Sequence, residues 1–177
     1  MVVMNDETFE LQCWAEIHRE SFVEMQRDAD VMADLGGVFD REASDAKFDR
    51  YRDAWLLHGI SRWAVVSARG QFLGYTGVMR RTDLDHPLGS HYEIGWRFCR
   101  SAWGKGLATR SALQALHHAW TVLETHEILS YTAANNLRSQ NVMSRLGLKR
   151  DEARDFTAMY PKGQWSGLVW VAGRPSS

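Results

Sequence analysis

The 177-residue sequence predicts a mixed α+β domain: a mostly antiparallel sheet, flanked by helices, with one βαβ crossover. Three observations predict it. Apolar residues first recur at helical spacing, over 15–33 and again after Ser44. The period then shortens to two through 60–99, with short turns that suit antiparallel neighbours. Finally a helix, a strand and a second helix follow one another from 104 to 148, and a crossover of this kind joins parallel strands.

Taken in order, "TFELQCW" (8–14) alternates Phe9, Leu11 and Cys13 against polar neighbours, as an opening strand does. Ile17, Phe22, Met25, Ala29 and Met32 form one helical stripe, ended by Gly36-Gly37. Ser44 is suited to cap a second helix whose stripe is Phe48, Tyr51, Trp55 and Leu56. "ISRWAVVSA" and "QFLGYTGVMR" read as strands that meet at Arg69-Gly70 in a hairpin. Residues 81–90 are a polar loop. "HYEIGWRFC" (91–99) is a third alternating strand. A helix launched at Gly104 carries Ala108, Ala112, Ala115, Leu116, Ala119 and Leu123 on one side. "EILSYTA" (127–133) is a strand, and a helix over 137–146 buries Val142 and Leu146 before Gly147 stops it. Two further strands are expected near 148–156 and 166–172.

Length and 45% hydrophobic content suit one domain over residues 1–177, large enough to bury a core without staples. Lys and Arg number 21 against 22 Asp and Glu, a balance that argues against nucleic acid or a membrane surface as a partner held by bulk charge. Cys13 and Cys99 lie far apart, outside any CxxC pattern, and read as reduced thiols. "MVVMNDETFE" has no cationic n-region or long apolar run, so a cytoplasmic protein is expected. The seven histidines show no ligand spacing, and no metal is expected.

The stretch "RSAWGKGLATRSALQAL" (100–116) calls for more than packing. Gly104 and Gly106 are poor helix formers, useful where a backbone approaches something closely or takes an unusual dihedral. The helix that follows opens with unpaired N–H groups and partial positive charge, which favour a phosphate. A P-loop fails because no glycine stands five residues before Gly104, and Gly106 replaces the Ser/Thr ligand. A dinucleotide turn, and with it a nicotinamide-dependent oxidoreductase, would place Gly104-Lys105-Gly106 in the first turn of a parallel array; the third small position is Thr109.

"EIGWRFCRSAWGKGLATRSALQAL" (93–116), followed by "NNLRSQNVMSRLGL" (135–148), resembles the acetyl-coenzyme A signature of the GNAT superfamily of N-acetyltransferases. The similarity extends to the Rim-type ribosomal-protein alanine N-acetyltransferase branch, through its W-G-x-G-x-A turn and its N-x-x-S-x-x-V-x-x-x-x-G-[FL] helix. The resemblance implies a GNAT-like sheet, acetyl-CoA as co-substrate and an amine acceptor, whether a peptide N-terminus or a small molecule. A homodimer is common among such relatives. It also implies that the N–H groups of Trp103, Gly104, Lys105, Gly106, Leu107, Ala108 and Thr109 wrap the pyrophosphate, with Lys105 adding charge at the rim. A strand N–H in Arg97, Phe98 or Cys99 would polarise the thioester, and Asn136 would bind the pantetheine arm or only shape its turn.

Two positions depart from the pattern. Ser101 stands where relatives often have Gln or Arg. Met143 stands where many place a general-acid tyrosine, and a thioether donates no proton. The Rim-type branch uses the motif serine, here Ser139, which otherwise serves as a helix cap. Alternation puts Tyr92, Ile94, Trp96 and Phe98 on one face of their strand and His91, Glu93, Gly95, Arg97 and Cys99 on the other. A carboxylate beside a glycine suggests room for a substrate next to a base. Amine acetylation needs that base, acting directly or through water, and the superfamily often keeps one at the position of Glu93. The alternative is a solvated glutamate or a partner of Arg97. Cys99 is not expected to be a covalent nucleophile, since no histidine is tied to it. A non-catalytic acyl-CoA-binding module remains the alternative to an enzyme.

Overall fold

The computed structural model describes residues 8–176; most of the segment inspected for a leader lies outside them. Strand β1 (Phe9–Gln12) opens the chain, followed by helices α1 (Arg19–Arg27), α2 (Ala29–Met32) and α3 (Arg41–His58). Strands β2 (Arg62–Ser67), β3 (Phe72–Arg81) and β4 (His91–Phe98) form the meander. Helix α4 (Leu107–Val122), strand β5 (Glu127–Thr132) and helix α5 (Leu137–Arg145) follow, then β6 (Lys149–Arg150), β7 (Phe156–Tyr160) and β8 (Gly163–Gly173).

The strands run in the order β1-β2-β3-β4-β5-β8-β6, with β7 paired to β8. β4 and β5 are parallel, joined through α4, and the other pairs are antiparallel. This is the sheet the period changes imply. An antiparallel first half leaves no parallel array in which Gly104-Lys105-Gly106 could be the first turn, which removes the dinucleotide reading.

Aromatic side chains of α1, α3 and β3 fill one face of the sheet: Phe22, Phe48, Tyr51 and Tyr75 pack with Trp14 and Phe72. The other face packs Ile94 and Ile128 against Ala112, Leu116 and Ala119 of α4 and Met143 of α5. Burying one fully packed aliphatic side chain contributes about 1.5–3 kcal/mol, so these layers hold the two helical faces on the sheet.

Several elements differ from expectation, each for a local reason. The helix expected over 15–33 is broken at Asp28, whose side chain accepts from the N–H groups of Asp30 and Val31 and restarts the chain as α2. Asp40, not Ser44, caps α3 by accepting from Ala43 N–H at 2.8 Å. Ser44 is buried one turn inside, on a stripe with Lys47, Phe48, Tyr51 and Ala54, while Leu56 points to solvent. Lys47 is thus a core residue: its Nζ donates to Gln26 Oε1 at 3.2 Å, lies over the rings of Phe39 and Tyr75, and burial pushes its pKa down to about 8. The strand expected over 148–156 divides into β6 and the start of β7, with a 3-10 turn at Glu152–Arg154 between them. β8 begins at Gly163 and is longer than the expected 166–172. No helix among the described residues is long and apolar enough to cross a membrane.

Candidate active site

After β4 the chain makes a 3-10 turn (Arg100–Ala102), then passes through Trp103 into the glycine turn. Gly104 and Gly106 both adopt left-handed backbone, φ +75° and +69°. A Cβ at either position would meet no atom within 4 Å, so dihedral demand, rather than crowding by the protein, is what selects glycine here. No side chain caps α4, and its first-turn N–H groups at Leu107, Ala108 and Thr109 have no intrahelical acceptors. Trp103 anchors the turn: its Nε1–H donates to Phe98 O at 2.9 Å, and the Arg138 guanidinium lies 3.7 Å from its ring centroid. Together these residues form one wall of a cleft of about 690 Å³.

The opposite wall comes from the parting of β4 and β5. These parallel strands are paired only at Glu93 and Leu129. Beyond that point the Ser130 hydroxyl donates to Ile94 O at 2.9 Å, a side chain standing in for a main-chain partner. Farther on, Trp96, Arg97 and Phe98 of β4 line the cleft opposite Asn136 and Ser139. Cys99 N–H is already donated to Leu73 O on β3 at 2.9 Å. Alternation in an antiparallel ladder therefore turns Phe98 N–H the other way, toward the gap. Of the three strand donors expected, Phe98 is the one aimed at the cleft. Cys99 is half-buried, and burial pushes its thiol up to about 11, which disfavours the thiolate that a nucleophile needs.

Asn136 caps α5: its Oδ1 accepts from Ser139 N–H at 3.1 Å. Ser139 is therefore the third residue of the helix, not its cap, and its side chain faces the cleft. Met143 is buried among apolar side chains, so the position of the missing tyrosine belongs to the core.

The residue that sequence reasoning missed is Asp34. Its carboxylate takes two hydrogen bonds from Arg97, at 2.7 and 3.0 Å, and one from Asn136 Nδ2 at 3.2 Å. Its carbonyl accepts from Trp165 Nε1 at 3.2 Å. One side chain from the segment after α2 thus ties both edges of the gap together. Burial would raise its pKa, but the Arg97 hydrogen bonds and charge outweigh that, holding Asp34 below the usual carboxylate range. Nothing local in "VMADLGG" marks the position; only the fold brings residue 34 beside residues 97 and 136.

Glu93 is neither solvated nor paired with Arg97. Its Oε1 meets Arg62 Nη2 at 3.0 Å, and its Oε2 meets Arg81 Nη1 at 3.5 Å and accepts from Tyr131 Oη at 3.1 Å. The side chains of Arg62 and Glu93 are 5% and 12% exposed, so this is a buried ion pair. The space beside Gly95 is not open either. A Cβ there would lie 2.8 Å from Arg62 Nη2, so the glycine makes room for the guanidinium rather than for a substrate. Burial alone would raise the Glu93 pKa; Arg62 and Arg81 reverse this, and the carboxyl lies below its ordinary value. Glu93 does not line the cleft, so any proton it takes from there must arrive through an intervening group such as water.

The cleft fits the coenzyme that the sequence resemblance implies. A left-handed glycine turn and an uncapped helix start supply phosphate donors, the parted strands give an extended arm a path, and Phe98 N–H and Ser139 lie along it. Comparison with known proteins agrees. The sequence profile of the Acetyltransferase (GNAT) domain matches residues 9–149. Over 80 residues the chain is 33% identical to the uncharacterized N-acetyltransferase YnaD of Bacillus subtilis, a match spanning 44% of this chain and 46% of that protein. An acetyltransferase from Agrobacterium tumefaciens shares the fold with a TM-score of 0.77 at 20% identity, covering 93% of this chain and 90% of the other. A spermidine N-acetyltransferase from Vibrio cholerae, solved with CoA and spermine, gives 0.72 at 13% identity over 96% and 97%. With a family profile spanning most of its length and the cleft to match, this chain belongs to the GNAT acetyltransferase family.

Proposed function

We propose that the protein, as one domain over residues 1–177, transfers the acetyl group of acetyl-CoA to a primary amine by direct attack. The observation that carries this reading is the cleft itself, which aligns the glycine turn, Phe98 N–H and Ser139 along one path between β4 and β5. Bound there, acetyl-CoA supplies an activated acyl carbon and a thiolate leaving group. Trp103 N–H, expected among the phosphate donors, is instead donated to Arg100 O at 3.1 Å, so the N–H groups from Gly104 to Thr109 hold the pyrophosphate, with Lys105 at the rim. Asn136, whose side chain caps α5 and donates to Asp34, shapes the turn beside which the pantetheine arm runs. Phe98 N–H meets the negative charge that gathers on the carbonyl oxygen as the C–N bond forms. Ser139 donates a hydrogen bond to the departing sulfur as the C–S bond breaks. Glu93, acting through water, accepts the proton that the amine gives up.

The acceptor is an amine on a peptide N-terminus or a small molecule. The Rim-type motif helix favours the first, and the structural likeness to a spermidine N-acetyltransferase favours the second. Asp83 of the 81–90 loop is paired with Arg81 at 3.2 Å, so its charge is already met within the chain. The reading predicts that acetyl-CoA binds in isothermal titration and that one of three probes is acetylated: an alanine-first peptide, spermine or kanamycin. Ser139→Ala should then lose about 1 kcal/mol of cofactor affinity, roughly fivefold, together with part of kcat. No heat of binding at millimolar acetyl-CoA refutes the reading. Binding without turnover on any amine points instead to a non-catalytic acyl-CoA-binding module.

A further inference from the structure

Glu93 is a poor resting place for a proton, because two arginines favour its charged form. A base of this kind works in repeated turnover when it passes the proton on, and its surroundings contain a path. Tyr131 Oη lies 3.1 Å from Glu93 Oε2 and 3.3 Å from His91 Nε2. His91 Nδ1 lies 2.7 Å from Gly89 O. A carbonyl oxygen only accepts, so Nδ1 carries hydrogen, and in the neutral ring Nε2 is an acceptor. The tyrosine hydroxyl then has one proton and two acceptors on either side of it. The chain is one proton short of a full set, and one added proton completes it. The far end opens on a second, shallow cleft lined by His91 with Arg80, Ser90, Thr125 and Glu127. Tyr131 itself is held in place by its edge-on contacts with Phe156 and Trp165.

We propose that Glu93, Tyr131 and His91 form a proton exit that carries the amine's proton from the acetyl-transfer site to solvent at the second cleft. The proposal rests on the assignment of Glu93 as the proton acceptor above. In the step, the proton reaching Glu93 makes it a carboxylic acid, which donates to Tyr131 Oη. Tyr131 gives its own proton to His91 Nε2, the imidazolium yields its Nδ1 proton to water, and the ring regains the Nδ1–H form by exchanging with water, Nδ1 taking up one proton as Nε2 releases one. Glu93 is again a carboxylate and Tyr131 again a phenol. Only O–H and N–H bonds change, and nothing is oxidised or reduced. Imidazole is the side chain suited to the last position, because one ring nitrogen can take up a proton while the other gives one away. The titratable and charged groups facing His91 include His86, with ring centroids 4.9 Å apart, as well as Glu93, Tyr131 and Glu127.

Two measurements on the full chain test this. The first needs no acceptor: ¹⁵N spectra of the imidazoles should show neutral His91 as the Nδ1–H form, with Nε2 left unprotonated to take the proton from Tyr131. An Nε2–H form overturns the relay. The second is kinetic, with whichever of the three amine probes is acetylated. Tyr131→Phe keeps the ring, and should lower kcat about tenfold with acetyl-CoA affinity unchanged, turning a bowed proton inventory in mixed H2O/D2O into a straight one. His91→Ala should lose a similar factor and regain part of it with added imidazole, which a merely structural role would not allow. Full activity in Tyr131→Phe, with Glu93→Gln still slow, overturns the relay and leaves Glu93 as the acceptor. Full activity in Glu93→Gln instead overturns the assignment of Glu93, whatever the spectra of His91 show.

Discussion

Gly104 offers a measurement whose size follows from its geometry. Its φ of +75° is a conformation that costs an L-residue about 1–2 kcal/mol, and a β-branched side chain more. No atom lies within 4 Å of a Cβ at this position, so the protein itself does not clash with the new side chain. The strain has two outlets. If the turn keeps its shape, Gly104→Val loses stability; if the turn relaxes, its N–H groups rotate away from the phosphates and affinity falls. One to two kcal/mol corresponds to a factor of roughly 5–30 in an equilibrium constant. A valine standing where a phosphate must rest adds to that on the binding side alone. Gly104→Asn is the control, because asparagine visits left-handed backbone several-fold more readily than other non-glycine residues. Titration calorimetry with CoA, paired with thermal melts, should rank affinity as parent, then Asn, then Val, with Val weakened at least tenfold. If Val binds CoA as the parent does, the turn does not cradle the pyrophosphate and the placement of the coenzyme fails with it.

Replacing Glu93 tests stability as well as rate. Glu93→Gln leaves the buried Arg62 guanidinium without its counter-charge and should cost about 3 kcal/mol in chemical denaturation, with kcat down on the order of 10²-fold and acetyl-CoA affinity within about threefold. Equal stability in parent and variant would contradict the buried pair. Glu93 and Asp34 both have pKa values below those of an unfolded carboxylate. Their contribution is therefore complete above about pH 4.5 and lost as pH falls through the folded values. Denaturation midpoints measured from pH 6 to 2 should fall steeply at the acid end, and less steeply in Glu93→Gln. Asp34→Asn removes the charge that holds Arg97 and Asn136 across the gap. It should weaken acetyl-CoA binding about tenfold in titration, while unchanged affinity would show that the bridge does not shape the cleft.

The order of elements was legible because each segment carries its own period. Alternation marked β4, the stripe of Ala112, Ala115 and Ala119 marked α4, and Gly147, at φ +80°, marked the end of α5. The glycine turn and the start of α5 near 137 were legible for a similar reason, since backbone dihedrals and helix ends are set by residues close in sequence, although the cap is Asn136 and not Ser139. The helix caps at Asp28 and Asp40 were harder, since several residues able to cap lie close together in the sequence around each.

What the sequence determined by itself was the kind of sheet, the single crossover and the two motifs that face each other across the cleft. Partners distant in sequence were decided by tertiary structure alone. Alternation placed Glu93 and Arg97 on one strand face and suggested they might pair. The fold gave Glu93 to Arg62 and Arg81, and gave Arg97 to Asp34, 63 residues away. Ion pairing depends on which charges the sheet register and helix docking bring within a few ångströms, and no local period encodes that. The same holds for Lys47, whose place in the core follows from the aromatic rings around it, and for the contact of Tyr131 with His91. A strand pattern tells which way a side chain points; only the assembled sheet supplies what it meets there.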